Sequence, residues 1–423
     1  MVRAITNQAV CPELQPLGIL TFVPLRMTQR AAPVVVPARA VKGQADAKDA
    51  VFTEQVCEAP FPSGATSVRV GPFALAAFAA PTLEPQRIVI IADTGCRMKG
   101  SENAFQKCND PAQWPFAVIA RSALEKRPDL IVHLGDLHYR ESPCPDGNTG
   151  CAGSPWGYGG DVWRADFFAP VGRLLNAAPW LFVRGNHESC ARAGLGWFRY
   201  FDARALTPAA SCVDSGFDAQ ADFTEPFAIR ISADTQFIVF DSAATSGRAF
   251  QPSDAAFKSF TAHLKKVEQL AQQAPHNIFL NHHPVLGFAP SKDPNAPHPG
   301  NEGLRSVMAA AHPERLYANG VDTVMSGHVH LFQAISFSSG HPNALVLGNS
   351  GTQMEGILNP AVALKASPAA GAKVSSFATQ DGYGFATLDK QTQGWKLTEW
   401  SVSGKALHVC DLKGSVLACE AQP

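Results

Sequence analysis

The stretch DLIVHLGDLHY, residues 129–139, decides the fold. Its apolar run, Leu130 to Leu134 with His133 inside it, stops at Gly135 and Asp136, and Tyr139 follows three residues later. A short continuous apolar run closed by a Gly-Asp pair reads as a strand buried on both faces that ends in a polar loop. Layered α/β folds hold their ligands outside the carboxyl ends of such strands, which makes Asp136 a candidate metal ligand. Tyr139 is the puzzle, because a phenol keeps its proton at neutral pH and is a poor ligand for most ions. Either Tyr139 is an ordinary loop aromatic, or the site holds a cation strong enough to displace that proton.

The same pattern recurs along the chain. RIVIIAD (87–93), PWLFVRGN (179–186), QFIVFDS (236–242), HNIFLNH (276–282) and VDTVMSGH (321–328) are apolar runs with polar ends. Amphipathic segments separate them. The clearest spans about 253–273, where Phe257, Phe260, Leu264, Val267 and Leu270 recur every three or four residues and Ser253 and Asp254 offer an N-cap. Strands alternating with helices predict a layered α/β catalytic domain over 86–423. After about residue 331 the runs QAISF, NALVLGNSG, GYGFATL and GWKLTEWSV predict a second sheet packed on the first. Residues 1–85, rich in Pro, Ala and Val, are expected to form a small β-rich N-terminal domain.

Five strand ends carry metal-type residues: Asp93 in ADTG, Asp136 and Tyr139 in GDLHY, Asn186 and His187 in GNHE, His282 and His283 in NHHP, and His328 and His330 in GHVH. Singly, each motif has an ordinary reading as a turn or a surface strand; the ordered recurrence points to a two-metal site. Carboxylates suit hard ions and imidazoles borderline ones, and two ions need about seven protein ligands with one carboxylate shared. In GHVH, residues i and i+2 of an extended segment face the same side, so both imidazoles can enter one cavity. His133 is expected to be a core histidine, and His276, His312, His341 and His408 lie in ordinary contexts. His138 flanks the ligands, and Asp241 either orients one or caps a turn.

Composition restricts the partners. Across 423 residues the net charge is −1, which gives no electrostatic case for nucleic acid, and no apolar run approaches a membrane span. Ten cysteines fall into close couples, Cys96 with Cys108, Cys144 with Cys151, Cys190 with Cys212 and Cys410 with Cys419, leaving Cys11 with Cys57. That distribution, without a CxxC, favours disulfides and a periplasmic or secreted location. Residues 1–30 lack a compact signal-peptide core, as in a mature form whose leader has been removed.

These motifs resemble those of the calcineurin-like metallophosphoesterases, and more narrowly of the purple acid phosphatases. The wider superfamily opens with Asp-x-His, whereas Gly95 stands at that histidine's place and a tyrosine appears in Gly-Asp-x-x-Tyr, the purple acid phosphatase signature. DVWRADFFAP leading to WLFVRGNHE is a further likeness, and the resemblance covers about 87–350. It implies a four-layer αββα sandwich. It also implies that Asp93, Asp136, Tyr139 and His330 hold Fe(III), with Asp136 bridging to a divalent Fe, Zn or Mn held by Asn186, His282 and His328. His187 would contact the phosphate or the attacking hydroxide, and His298 is the nearest candidate for the additional catalytic histidine. Phe279 replaces the valine usual before the His282 ligand. The implied activity is that of an acid phosphatase, a phosphomonoesterase working by in-line attack of metal-bound hydroxide; a phosphodiesterase or nucleotidase on the same centre is the alternative. The loop from Glu141 to Asp161 is expected to shape the substrate pocket.

Overall fold

The computed structural model describes residues 1–18, 23–39, 47–71, 78–82 and 84–422. The other positions of the expected 1–85 domain, and Pro423, lie outside the described residues. The first parallel strands are β1 (Arg87–Ile91), β2 (Leu130–His133) and β3 (Trp180–Phe182). Then come β4 (Phe227–Arg230), β5 (Thr235–Val239), β6 (His276–Leu280), β7 (Val321–Ser326), β8 (Phe332–Phe337), β9 (Asn343–Leu347) and β10 (Val374–Gln380). The chain closes with β11 (Gly384–Lys390), β12 (Trp395–Ser401), β13 (Ala406–Lys413) and β14 (Val416–Ala421). One seven-stranded sheet runs β3-β2-β1-β11-β12-β13-β14 and the other β4-β5-β6-β7-β9-β8-β10. The C-terminal strands therefore do not form a sheet of their own, as the sequence suggested; β11 pairs antiparallel with β1 and extends the first sheet, while β8 to β10 extend the second.

Period-two alternation on buried strands sorts the core into layers. Ile88 and Ile90 point between the sheets with Val132, Leu280, Met325 and Leu388, whereas Val89 and Ile91 point outward onto helix α1 (Phe116–Glu125). The second sheet presents Ile238, Phe279 and Val324 to helices α3 (Ala255–Ala271) and α4 (Glu302–Ala311), which bury Phe260, Leu264, Leu304 and Val307. The stack is helix, sheet, sheet, helix. Between these lies the short helix α2 (Gly194–Tyr200), just after the GNHE motif. α3 begins two residues later than its periodicity suggested. Asp254 occupies the N-cap position, but its carboxylate accepts from the Gln251 N–H at 2.9 Å instead of capping a helix amide.

The N-terminal region is β-rich. A three-stranded sheet places Gln55–Ala59 between Val2–Thr6 and Thr28–Ala31, and a four-stranded sheet is built on Glu13–Leu17 and Ser67–Gly71. All five cysteine couples are disulfides. No helix among the described residues is long and apolar enough to cross a membrane.

Candidate metal centre

The ends of β1, β2, β6 and β7 converge with the GNHE turn between the two sheets. Asp93, Asp136 and His328 all adopt left-handed backbone conformations, with φ of 54°, 57° and 69°. Non-glycine residues avoid that region, and their clustering at one place marks a site whose surroundings impose the strain. Close backbone approach is also required: a Cβ on Gly185 would lie 2.1 Å from Asp136 Oδ1. No side chain larger than hydrogen fits there.

Tyr139 sits at the middle of this cluster and is buried. Its hydroxyl lies 2.8 Å from Asp93 Oδ1, 3.0 Å from Asp136 Oδ2 and 2.9 Å from His330 Nε2. The His330 Nδ1–H donates to Gln353 O at 2.7 Å, which leaves the Nε2 lone pair facing the phenol. One phenolic proton therefore faces three acceptors. His282 is held in the same way, its Nδ1–H donating to Leu134 O at 2.8 Å while Nε2 stands 3.0 Å from Asp136 Oδ2. Asn186 Oδ1 is buried without a hydrogen-bond partner among the described residues. Converging lone pairs with too few protons are the donor set that a cation requires. Asp93, Asp136 and His282 bring ligand atoms within 4.8 Å of one another, as do His282, His283 and His328. The residues present fit a pair of ions.

Burial and the groups' mutual charges set their titration. Burial, followed by Asp136 and Asp93, pushes the Tyr139 phenol well above its ordinary value. Although burial opposes it, the charges of His282 and His187 hold Asp136 well below the usual carboxylate range. Burial likewise opposes the shift at His282, which Asp136 lifts to about 9. Burial, then His282, lowers His328 to about 3, and burial with His328 and His282 pushes His283 well down.

Several functional side chains had not been singled out from the sequence. Glu188, the last residue of GNHE, accepts the backbone N–H groups of Asp136 (2.9 Å), Leu137 (2.8 Å), His138 (3.3 Å) and Gly185 (3.1 Å). It thereby fixes the loop that carries Asp136. Asp166 accepts from the Tyr139 N–H at 2.7 Å, the Cys96 N–H at 3.1 Å and Arg140 Nε at 2.6 Å. It reaches them from a π-helical turn, Arg164–Phe168, of the kind often found at functional sites. His187 lies on the Tyr139 ring, centroids 3.9 Å apart, beside Arg192, which is paired with Glu141.

Other expected residues fall outside the cluster. His298 is exposed on a two-residue strand paired with Phe288–Ala289. His133 is a core histidine with both nitrogens bonded, to the Gly135 N–H at 3.2 Å and Thr94 Oγ1 at 3.0 Å. His138 packs against the Tyr158 and Trp163 rings. Asp241 caps a turn, accepting from the Ala243 N–H at 2.9 Å. The 141–161 loop carries the Cys144–Cys151 disulfide, and its Glu141, Trp156 and Tyr158 line a small cavity with Arg192. A much larger groove runs elsewhere, between Ile5, Val56, Trp180 and Phe223, and no candidate ligand lines it.

A two-sheet αββα sandwich with paired carboxylates and imidazoles at its strand ends has the architecture of a metal-dependent phosphoesterase. The calcineurin-like phosphoesterase family model matches residues 86–332, more than half of the chain, and the chain belongs to that family. No curated protein matches it significantly. Among solved structures it is similar to a purple acid phosphatase from yellow lupin (Lupinus luteus) seeds, at 14% identity and a TM-score of 0.53, covering 95% of this chain and 68% of that one. It is similar also to PhoD, at 12% identity and a TM-score of 0.55, covering 99% and 94%. At these identities the likeness is one of fold.

Proposed function

We propose that this chain is a dinuclear metal-dependent phosphomonoesterase, an acid phosphatase of the purple type. The observation that supports it most is Tyr139, whose hydroxyl joins Asp93, Asp136 and His330 where the sequence has no histidine at position 95. In this reading Asp93, Asp136, Tyr139 and His330 would hold Fe(III), and Asp136, Asn186, His282 and His328 a divalent Fe, Zn or Mn. When bound, such a pair supplies Lewis acidity toward a phosphoryl oxygen and acidifies water. With a trivalent ion bound, Tyr139 would be held as its phenolate. His187, held by Arg192 beside Tyr139, hydrogen-bonds the phosphate of a small monoester, and Glu188 and Asp166 keep the ligand loops in place. His298, outside the buried cluster, has no part in this reading. Five disulfides support a periplasmic or secreted site of action.

Metal analysis with optical spectroscopy tests the reading. The expected result is two ions per chain and a visible tyrosinate-to-iron band that Tyr139→Phe abolishes. A colourless, fully active protein holding only divalent ions would defeat the Fe(III) assignment. Aryl monoesters should be hydrolysed faster than the matching diesters; a clear preference for diesters would move the assignment to a phosphodiesterase or nucleotidase.

A further inference from the structure

His283 follows a proposed ligand and stands in the same nest of rings, with its centroid 4.9 Å from that of His282 and 4.3 Å from that of His328. Proximity alone would make it a further ligand. Its hydrogen bonds say otherwise. Ser242 Oγ, in the loop after β5, accepts the backbone N–H groups of both His282 and His283, each at 3.2 Å. A serine hydroxyl has two lone pairs and one proton. With both lone pairs engaged, the proton is directed to its third neighbour, His283 Nδ1, at 3.0 Å. Nδ1 is therefore an acceptor, and in the neutral ring the proton sits on Nε2. His282 and His330 carry the opposite arrangement, because the carbonyls of Leu134 and Gln353 accept from their Nδ1 atoms. In their neutral forms those two rings present Nε2 lone pairs. His283 presents an N–H, which suits an anion and not a cation. The residue is 4% exposed.

We propose that His283 is a substrate-binding residue and not a metal ligand, its Nε2–H donating a hydrogen bond to an oxygen of the bound phosphoryl group. The inference rests on the metallophosphatase reading, since it needs a phosphate beside the ions. Ser242 is its positioning partner: one hydroxyl fixes both the backbone that aims His282 and the tautomer of His283. Nothing in the sequence NHHP separates the two histidines in this way; the distinction lies in their bonding partners.

The test uses metal-loaded wild-type protein, His283→Leu and His283→Gln, with inorganic phosphate as the probe. Two ions per chain are expected in all three. Phosphate affinity should fall about tenfold to a hundredfold in His283→Leu, the usual range for losing a hydrogen bond to a charged group. It should largely return in His283→Gln, whose amide keeps an N–H near the same place. Nitrogen-15 spectra of the metal-free wild type should show His283 protonated at Nε2. Loss of one ion in His283→Leu, unchanged phosphate affinity, or a proton on Nδ1 would each overturn the proposal. A wild type that takes up no pair of ions would overturn the metallophosphatase reading as well, so the two failures are distinguishable.

Discussion

At residue scale, Gly95 is the position that binds the site's chemistry to its packing. A Cβ there would lie 2.8 Å from Leu137 O and 2.9 Å from both Tyr139 N and Asp166 Oδ2. The space is filled by the backbone of the loop that delivers Tyr139, so the absence of a side chain at 95 and the presence of the phenol are one arrangement. Gly95→Ala should displace that loop, lower stability by about 1–3 kcal/mol and reduce metal occupancy; unchanged unfolding and full occupancy would refute the packing argument. A second expectation concerns protons. His282, lifted to about 9, is charged below that pH in the metal-free protein, and a ligand must be neutral. Metal uptake should therefore release a proton, with apparent affinity rising as pH rises toward 9; calorimetry in buffers of different ionisation heat would detect it, and no buffer dependence would contradict it. The candidate ligands were legible in sequence because each follows a strand. Glu188 and Asp166 were not, because their partners are backbone amides of distant loops, for which no spacing pattern exists.

At the scale of elements, alternation made the buried strands legible, but not which sheet each joins, since pairing is decided by contacts across hundreds of residues. β12 shows what the alternation also conceals. Trp395 and Leu397 face the core between the sheets, and Glu399 occupies the next inward position with no exposed surface. Its Oε1 accepts from Asn349 Nδ2 at 2.7 Å while Oε2 has no partner. Burial raises this carboxyl to about 8, with the Asn349 bond pulling the other way. Because the folded pKa exceeds the unfolded one, the folded state binds the extra proton between the usual carboxylate range and pH 8. Stability must therefore fall as pH rises through that window. Glu399→Gln should remove this dependence, gaining on the order of 4 kcal/mol over wild type at pH 8 and little near pH 4. Parallel urea titrations would decide it, and an equal effect at both pH values would show that Glu399 is not the group responsible.

At the scale of the whole molecule, the N-terminal strands are fastened to the segment that follows the GNHE motif. Arg30 is buried, and its guanidinium donates to the carbonyls of Phe198 (2.7 Å), Asp202 (3.0 Å) and Arg204 (2.8 Å) while pairing with Glu58 at 3.0 Å. From the other side, Arg199 of α2 donates to Ala32 O at 2.9 Å and Glu54 O at 3.0 Å. The receiving segment is closed by the Cys190–Cys212 disulfide and begins three residues after His187. The N-terminal strands thus brace, from outside, the turn that carries Asn186 and His187. A boundary near residue 85 could be proposed from composition, but this dependence could not, because it runs through backbone carbonyls whose sequence context is ordinary. Arg30→Met keeps much of the side chain's volume and removes its donors to the Phe198 and Arg204 carbonyls, while Glu58 and the Asp202 carbonyl keep Arg3. It should lower stability by about 1–3 kcal/mol, the range for leaving buried acceptors without a donor. If residues 1–85 form a unit of their own docked through Arg30, calorimetry of the variant should resolve two unfolding transitions, with phosphoesterase activity lost at the lower one. A single transition at the wild-type temperature would show that the arginine fastens nothing.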